Sequence, residues 1–293
     1  MAIWFLALAA ALAASCPVLA AEAVRSLVAN GSNQVEYVVE GRGPLVVMLP
    51  SAARGAHDYD EVAVLIAAQG FRVARPEPRG SGRTTGPHEG ISLRDVVGDV
   101  AAVIRHEGIG PAVVVGHAAG SFVARALAVE EPALVRGVVL AAAGARRYPP
   151  ELGDIVRKVN LPGLSDEERA LYLRKAFFAP GNDVTSWLTG WRPLMRFGGA
   201  GGVPDLADRE RWWGAGAKPV LEIQGLDDPF KPAATWAEYK AEFGDRVTVV
   251  QIPKASHAMF PEQPLAVADA IVKWARSLPP GEPPLKGPVK GER

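Results

Sequence analysis

The sequence is nearly without cysteine: the one residue of that type in 293 is Cys16, inside an apolar N-terminal run. If that run is removed, the remaining chain has no disulfide, thiol nucleophile or thiolate metal site. Histidine is scarce as well, at five residues. His57, His88 and His106 are scattered without metal-ligand spacing, so no metal is expected. A charge excess is missing, since 32 Lys and Arg balance 32 Asp and Glu. That balance gives no electrostatic footprint for nucleic acid or an anionic membrane and points instead to an uncharged small-molecule partner. The glycine-punctuated turns lack a phosphate-loop lysine and do not follow the first strand, which argues against a nucleotide site and leaves no cofactor expected. No internal repeat is present.

What the chain has in quantity is apolar surface. With 48% hydrophobic residues it can bury a large core and form one big domain with an insertion. Residues 1–21 are alanine-rich, carry Trp4, Phe5 and Leu6, and end in Val18-Leu19-Ala20-Ala21. Small residues there fit a signal peptide cleaved after Ala20 or Ala21, although Lys and Arg are missing ahead of the apolar run. The expected location is therefore periplasmic or secreted. A retained membrane anchor competes, because the run is nearly long enough to span. Ala13-Ala14-Ser15-Cys16 resembles a lipoprotein box only poorly.

Along residues 22–145, strand-like and helix-like segments alternate. Residues 33–40 alternate in polarity, and residues 44–49 form a continuous apolar run, as expected of a strand covered on both faces. A helix over 58–68 closes at Gly70, a strand over 71–74 follows, and 93–107 places Val96, Val97, Val100, Val103 and Ile104 at helical spacing. Strands are expected again near 113–115, 135–141, 219–224 and 246–252, with helices over 233–243 and 264–278. This rhythm implies an α/β fold with a mostly parallel, doubly wound sheet. It is interrupted over 146–217, a helical stretch with Trp187, Trp191, Trp212, Trp213 and a glycine patch at 198–202, read as an inserted cap. The core resumes over 218–278. Residues 279–293 are Pro-, Gly- and Lys-rich and are expected to be a disordered tail.

The chemistry centres on Gly116-His117-Ala118-Ala119-Gly120, between a β-branched run and an apolar helix-forming segment. The spacing is that of a G-x-S-x-G nucleophile elbow, whose strained turn lifts one residue above the sheet edge. The lifted position holds alanine. Three further segments follow the same order. Glu77-Pro78-Arg79-Gly80-Ser81-Gly82-Arg83-Thr84 is similar to a D-x-R-G-x-G-x-S turn. Gly225-Leu226-Asp227-Asp228-Pro229 with Pro232 is similar to a G-x-x-D-x-x-x-P acid segment. Ser256-His257-Ala258 follows the last strand. Together, over about 33–278, the chain resembles the α/β-hydrolase superfamily with a helical cap, and in particular bacterial members with an alanine elbow. The resemblance implies a site at positions 118, 228 and 257, with Pro50-Ser51 in place of the usual His-Gly of the oxyanion loop.

Asp228 and His257 make sense as a pair: a carboxylate on one ring nitrogen leaves the other to accept a proton near neutrality. Asp227 competes for the acid role, and Asp228 before Pro229 could equally be a turn residue. Backbone N–H groups of Ala52 and Ala119 are the expected oxyanion donors, near helix N-termini. Arg54 either holds its loop or orients a polar ligand. Without an oxygen at Ala118 the acyl-serine route is closed. The open readings are water attack with His257 as base, proton abstraction from the substrate by the same dyad, Ser51 as a substitute nucleophile, and a catalytically silent binding or sensor protein. Ser121 is expected to bond a backbone carbonyl, and His117 to pack or bond to neighbouring backbone. The cap tryptophans are expected either as core or as pocket lining.

Overall fold

The computed structural model describes residues 22–197 and 209–279. Residues 1–21, expected to be a signal segment, most of the Pro- and Lys-rich tail and the 198–202 glycine patch lie outside them.

Among the described residues ten strands form in chain order: β1 (Val24–Asn30), β2 (Asn33–Gly41), β3 (Leu45–Leu49), β4 (Arg72–Pro76), β5 (Glu89–Ile91), β6 (Ala112–His117), β7 (Val135–Ala141), β8 (Arg196–Phe197), β9 (Val220–Gly225) and β10 (Val247–Ile252). Eight of them make one sheet in the order β1-β2-β4-β3-β6-β7-β9-β10. β1 and β2 pair antiparallel, as do β2 and β4; every other pairing in that sheet is parallel. The β-branched runs explain this. β3 and β6 are buried along their whole length, so each presents apolar side chains to both faces, as a central parallel strand must.

The helices follow from capping and periodicity. They are α1 (Asp60–Ala68), α2 (Leu93–Glu107), α3 (Gly120–Glu130), α4 (Pro150–Val159), α5 (Asp166–Ala176), α6 (Arg209–Trp212), α7 (Glu238–Phe243), α8 (Met259–Glu262) and α9 (Pro264–Ser277). α2 opens on a Ser92–Asp95 capping box and closes on Gly108 at φ 64°, a left-handed end that glycine adopts without a Cβ penalty. Val100, Ile104 and Leu127, from α2 and α3, cover one sheet face with Val47, Val114 and Val138. Ile66, Ile271 and Trp274, from α1 and α9, cover the other with Val46, Val113 and Val115. The start of the first of these helices differs from the sequence expectation: residues 56–59 form a 3₁₀ turn, and α1 begins at Asp60.

The segment between β7 and β9 has its own apolar cluster, in which Leu152, Ile155, Leu173, Phe178 and Trp187 pack on Phe230 and Ala258 of the core. It is not purely helical. Its short β8 pairs with β5, tying Arg196 and Phe197 to the loop before α2.

Packing is backbone against backbone where β6 turns into α3. A Cβ on Gly116 would meet Gly120 O at 2.5 Å, and one on Gly120 would meet Leu49 O at 2.6 Å and Pro50 O at 2.7 Å. Those are backbone atoms, so nothing can swing aside. Gly120→Ala should lower unfolding stability by about 1–3 kcal/mol, read as the urea midpoint, whereas Gly98→Ala inside α2 should hold or raise it. An unchanged Gly120→Ala midpoint would show that the crossing is loose.

Candidate active site

The elbow is built although no nucleophile stands on it. Ala118 has φ 47°, a left-handed conformation that costs a residue with a Cβ about 1–2 kcal/mol. Its N–H donates to Ala141 O at 2.9 Å and its carbonyl accepts from Ser121 at 3.0 Å, so the sheet and the first turn of α3 hold the strain in place. The side chain is one methyl, about nine-tenths buried.

His257 and Asp228 meet at this point. His257 Nδ1 lies 3.1 Å from Asp228 Oδ2. Asp228 is buried, and its other oxygen accepts the Phe230 N–H at 2.9 Å. A carboxylate oxygen can only accept here, so the ring proton sits on Nδ1 and Nε2 is left with its lone pair. Asp227, the competing acid, is exposed. Close approach explains the placement: a Cβ on Gly225, at the end of β9, would lie 2.6 Å from Ala255 O, so the acid and histidine loops pack with backbone against backbone. Phe230 lies over the His257 ring at 4.2 Å between centroids, and Phe177 stands edge-on at 5.6 Å. His257 is 6% exposed, in an aromatic surround.

His117 does more than pack. Its Nε2 donates to the His257 carbonyl at 2.7 Å, and its Nδ1 accepts from the Tyr59 hydroxyl at 2.8 Å. Tyr59 in turn accepts the Ser51 N–H at 2.9 Å. Burial, with the neighbouring His257 adding to it, pushes His117 down to about 3, while burial raises the Tyr59 hydroxyl well above its usual range, so it keeps its proton to donate. The histidine loop is also pinned from the other side. Glu262 accepts N–H groups from Ser256 at 2.7 Å, Ala179 at 2.6 Å and Asn182 at 2.7 Å. Sequence reasoning missed Tyr59, Phe230 and Glu262, whose roles come from long-range contacts rather than from any local motif.

Ala52 and Ala119, the expected oxyanion donors, lie on the loop after β3 and at the elbow. Ala119 stands at the N-terminal end of α3 and Ala52 follows Ser51, and among the described residues neither N–H has a protein acceptor. Ser51 is buried, and no hydrogen bond joins its hydroxyl to His257 among the described residues, so Ser51 lacks the base a nucleophile needs. Ser121 Oγ accepts from Arg125 Nη1 at 2.9 Å rather than bonding a carbonyl. Arg54 is spent on the fold: it is 1% exposed, pairs with Asp58, donates to Thr189 O at 2.8 Å and stacks on Trp187 and Trp191. It clamps loop to cap at the edge of the cavity.

A cavity of about 570 Å³ opens beside the oxyanion loop, lined by Ser51, Ala52, Ala119 and Gly120 and running between α2, α3 and β8 past Val96, Phe122 and Phe197. None of the four cap tryptophans lines it. Ala118, His257 and Asp228 are likewise outside its lining, although Ala118 and Ala119 are consecutive, so the cavity begins one residue from the elbow.

The Alpha/beta hydrolase family profile matches residues 46–270. The chain belongs to that family. A protein of Mycobacterium tuberculosis that bears the name non-heme bromoperoxidase is 31% identical over 265 residues, covering 85% of this chain and 96% of its own. A pyrethroid hydrolase of Sphingobium wenxiniae is 27% identical, covering 78% and 87%. A crystal structure of a bromoperoxidase from Bacillus anthracis superposes with TM-score 0.70 at 17% identity over 87% of this chain and all of that one; at that identity it speaks to the fold alone. Among the described residues no helix is long and apolar enough to cross a membrane, and no three His, Cys, Asp or Glu side chains converge as metal ligands.

His117 makes this hydrolase-fold chain acid-sensitive in a defined window. Its folded value of about 3 lies below the roughly 6.5 of a free histidine. Between those values the unfolded chain binds a proton that the folded one refuses, so stability falls as pH falls. The slope should approach about 1.4 kcal/mol per pH unit from this residue. Urea unfolding of wild type and His117→Gln at pH 6, 5 and 4 reads it directly: the variant should be less stable at pH 7 but lose less per unit on acidification. Parallel slopes would contradict the buried neutral imidazole.

Proposed function

We propose that the protein is a cofactor-free enzyme that acts without a covalent intermediate on a small, largely apolar carbonyl or ester-like substrate. His257 Nε2 is the general base, and Asp228 fixes its tautomer. The observation that supports this reading is the buried Asp228–His257 pair, kept at 3.1 Å beside an elbow that carries Ala118. A protein that only binds has no need for an oriented base in an aromatic surround. When the base removes a proton from a carbon next to a carbonyl, or from a water attacking it, negative charge grows on the carbonyl oxygen. The N–H groups of Ala52 and Ala119 would meet that charge. The methyl of Ala118 leaves the space of a hydroxyl for the water or the substrate carbon. Export to the periplasm or beyond belongs to the same reading and is supported by the composition of residues 1–21.

A second reading has its own observation. The main cavity is lined by Ala119 and Gly120 but not by His257, which favours a binding or sensor protein that uses the cavity and leaves the dyad idle.

Two substrate panels separate the readings: short-chain aryl esters followed by absorbance, and small ketones and esters in D₂O followed by NMR for deuterium uptake at carbon. The base reading expects deuterium uptake or ester cleavage by wild type, lowered about 10²- to 10⁴-fold in His257→Ala. Ala118→Ser should gain ester turnover with a burst of released alcohol. Silence of wild type and Ala118→Ser on both panels would favour the binder.

A further inference from the structure

Arg192 is a half-buried cation of the cavity lining whose side chain neither the fold nor the dyad uses. Its N–H donates to Ala53 O at 3.0 Å, which anchors it to the oxyanion loop. Its guanidinium lies over Gly55: a Cβ there would be 2.7 Å from Nε and 2.8 Å from Nη2. Gly55 has φ −125°, which any residue adopts, so its missing side chain serves the guanidinium rather than the backbone. Among the described residues Arg192 Nε is nonetheless buried without a hydrogen-bond partner, and the carboxylate paired with this guanidinium, Glu77, stays 3.7 Å away.

Three other cavity arginines are held by carboxylates, and Arg196 is exposed. Arg54 is held by Asp58, Arg79 by Asp99 at 2.6 Å, and Arg157 by Asp154. Around Arg192 the charges do not balance. Glu36 and Glu77 are shared among Arg25, Arg83 and Arg192, and Glu77 also accepts the Ala56 N–H at 3.2 Å. Three guanidiniums face two carboxylates, and of those three only Arg192 lines the cavity. Arg192 is half-buried, but its Nε is a buried donor left unmet, and an anionic partner in the cavity would satisfy it.

We propose that this cavity binds an amphipathic carboxylate, its anionic end on Arg192 and its apolar body along Val96, Phe122, Val123 and Phe197. The inference deepens the function proposed above by naming the substrate class, and it rests on that reading in taking this cavity as the substrate's seat. A chain of zero net charge hides this local surplus of positive charge, which is why composition alone points to an uncharged partner.

Isothermal titration of the full chain with 4-phenylbutyrate and with 4-phenylbutanol, at low salt, is the test. Wild type should bind the acid at least about tenfold more tightly than the alcohol. Arg192→Gln should bring the acid down to the alcohol's level and leave the alcohol unchanged. Gly55→Ala keeps the charge but pushes the guanidinium off its seat, so it should also lose the preference. Arg157→Gln should keep it. Equal binding of acid and alcohol by wild type, no binding of either, or a preference surviving in Arg192→Gln would each overturn the proposal. His257→Ala tells the two readings apart. A preference retained there beside a wild type with no turnover leaves the carboxylate site standing without the base chemistry; turnover without the preference does the reverse.

Discussion

Three loops that the sequence spaces far apart are joined by one buried relay of hydrogen bonds. It runs from the Ser51 N–H through Tyr59 and His117 to the carbonyl of His257. Each member depends on the next. Tyr59 can donate only if His117 is neutral at Nδ1, and His117 is neutral there because burial denies it a second proton. In a low-dielectric interior such a relay strengthens itself when complete and is costly when broken. It sets the oxyanion loop, the elbow and the histidine loop in one mutual geometry, and none of its members is the nucleophile. The loss of a hydroxyl at Ala118 can therefore leave the rest of the site standing.

The elbow carries the same point. Ala118 keeps a left-handed conformation whose ordinary use is to present a reactive oxygen. Gly116 and Gly120 keep the close crossing that forces it. A fold can hold such strain because the sheet edge and α3 impose it, whatever residue stands at the turn. Around the turn stand His257 in an aromatic enclosure on one side and a cavity with an underpaired arginine on the other. The family explains the frame, and the site has to explain the chemistry.

Much of this frame could be read from residue order. The β-branched runs at 45–49 and 112–117 became central parallel strands because nothing but apolar side chains can face two helical layers. The glycines at 116 and 120 marked the crossing. Asp228 and His257 were legible as a pair, but Asp227 could be set aside only when its neighbour was seen to hold the ring. What stayed hidden was made by distance in sequence. Arg54 could hold its loop or orient a ligand until Asp58, Thr189 and two tryptophans were seen to enclose it. Glu262 has no local signature, and its role comes from amides at Ala179 and Ser256 that only the fold brings near. β8 is two residues long, too short for any periodicity, and only its pairing with β5 defines it. Arg192 was one cation among many in a balanced composition, and its unmet donor exists only in three dimensions.

The central claim is that Asp228 and His257 form a working, oriented base although Ala118 offers nothing for it to activate. The most direct test is the downfield proton NMR spectrum of the wild-type protein beside Asp228→Asn. A ring N–H donating to a buried carboxylate is strongly deshielded and slow to exchange. The expected result is a sharp far-downfield resonance, correlated with His257 Nδ1 in ¹⁵N-labelled protein and absent from Asp228→Asn. A spectrum without that resonance, or one in which it survives the substitution, would contradict the pairing on which the account stands.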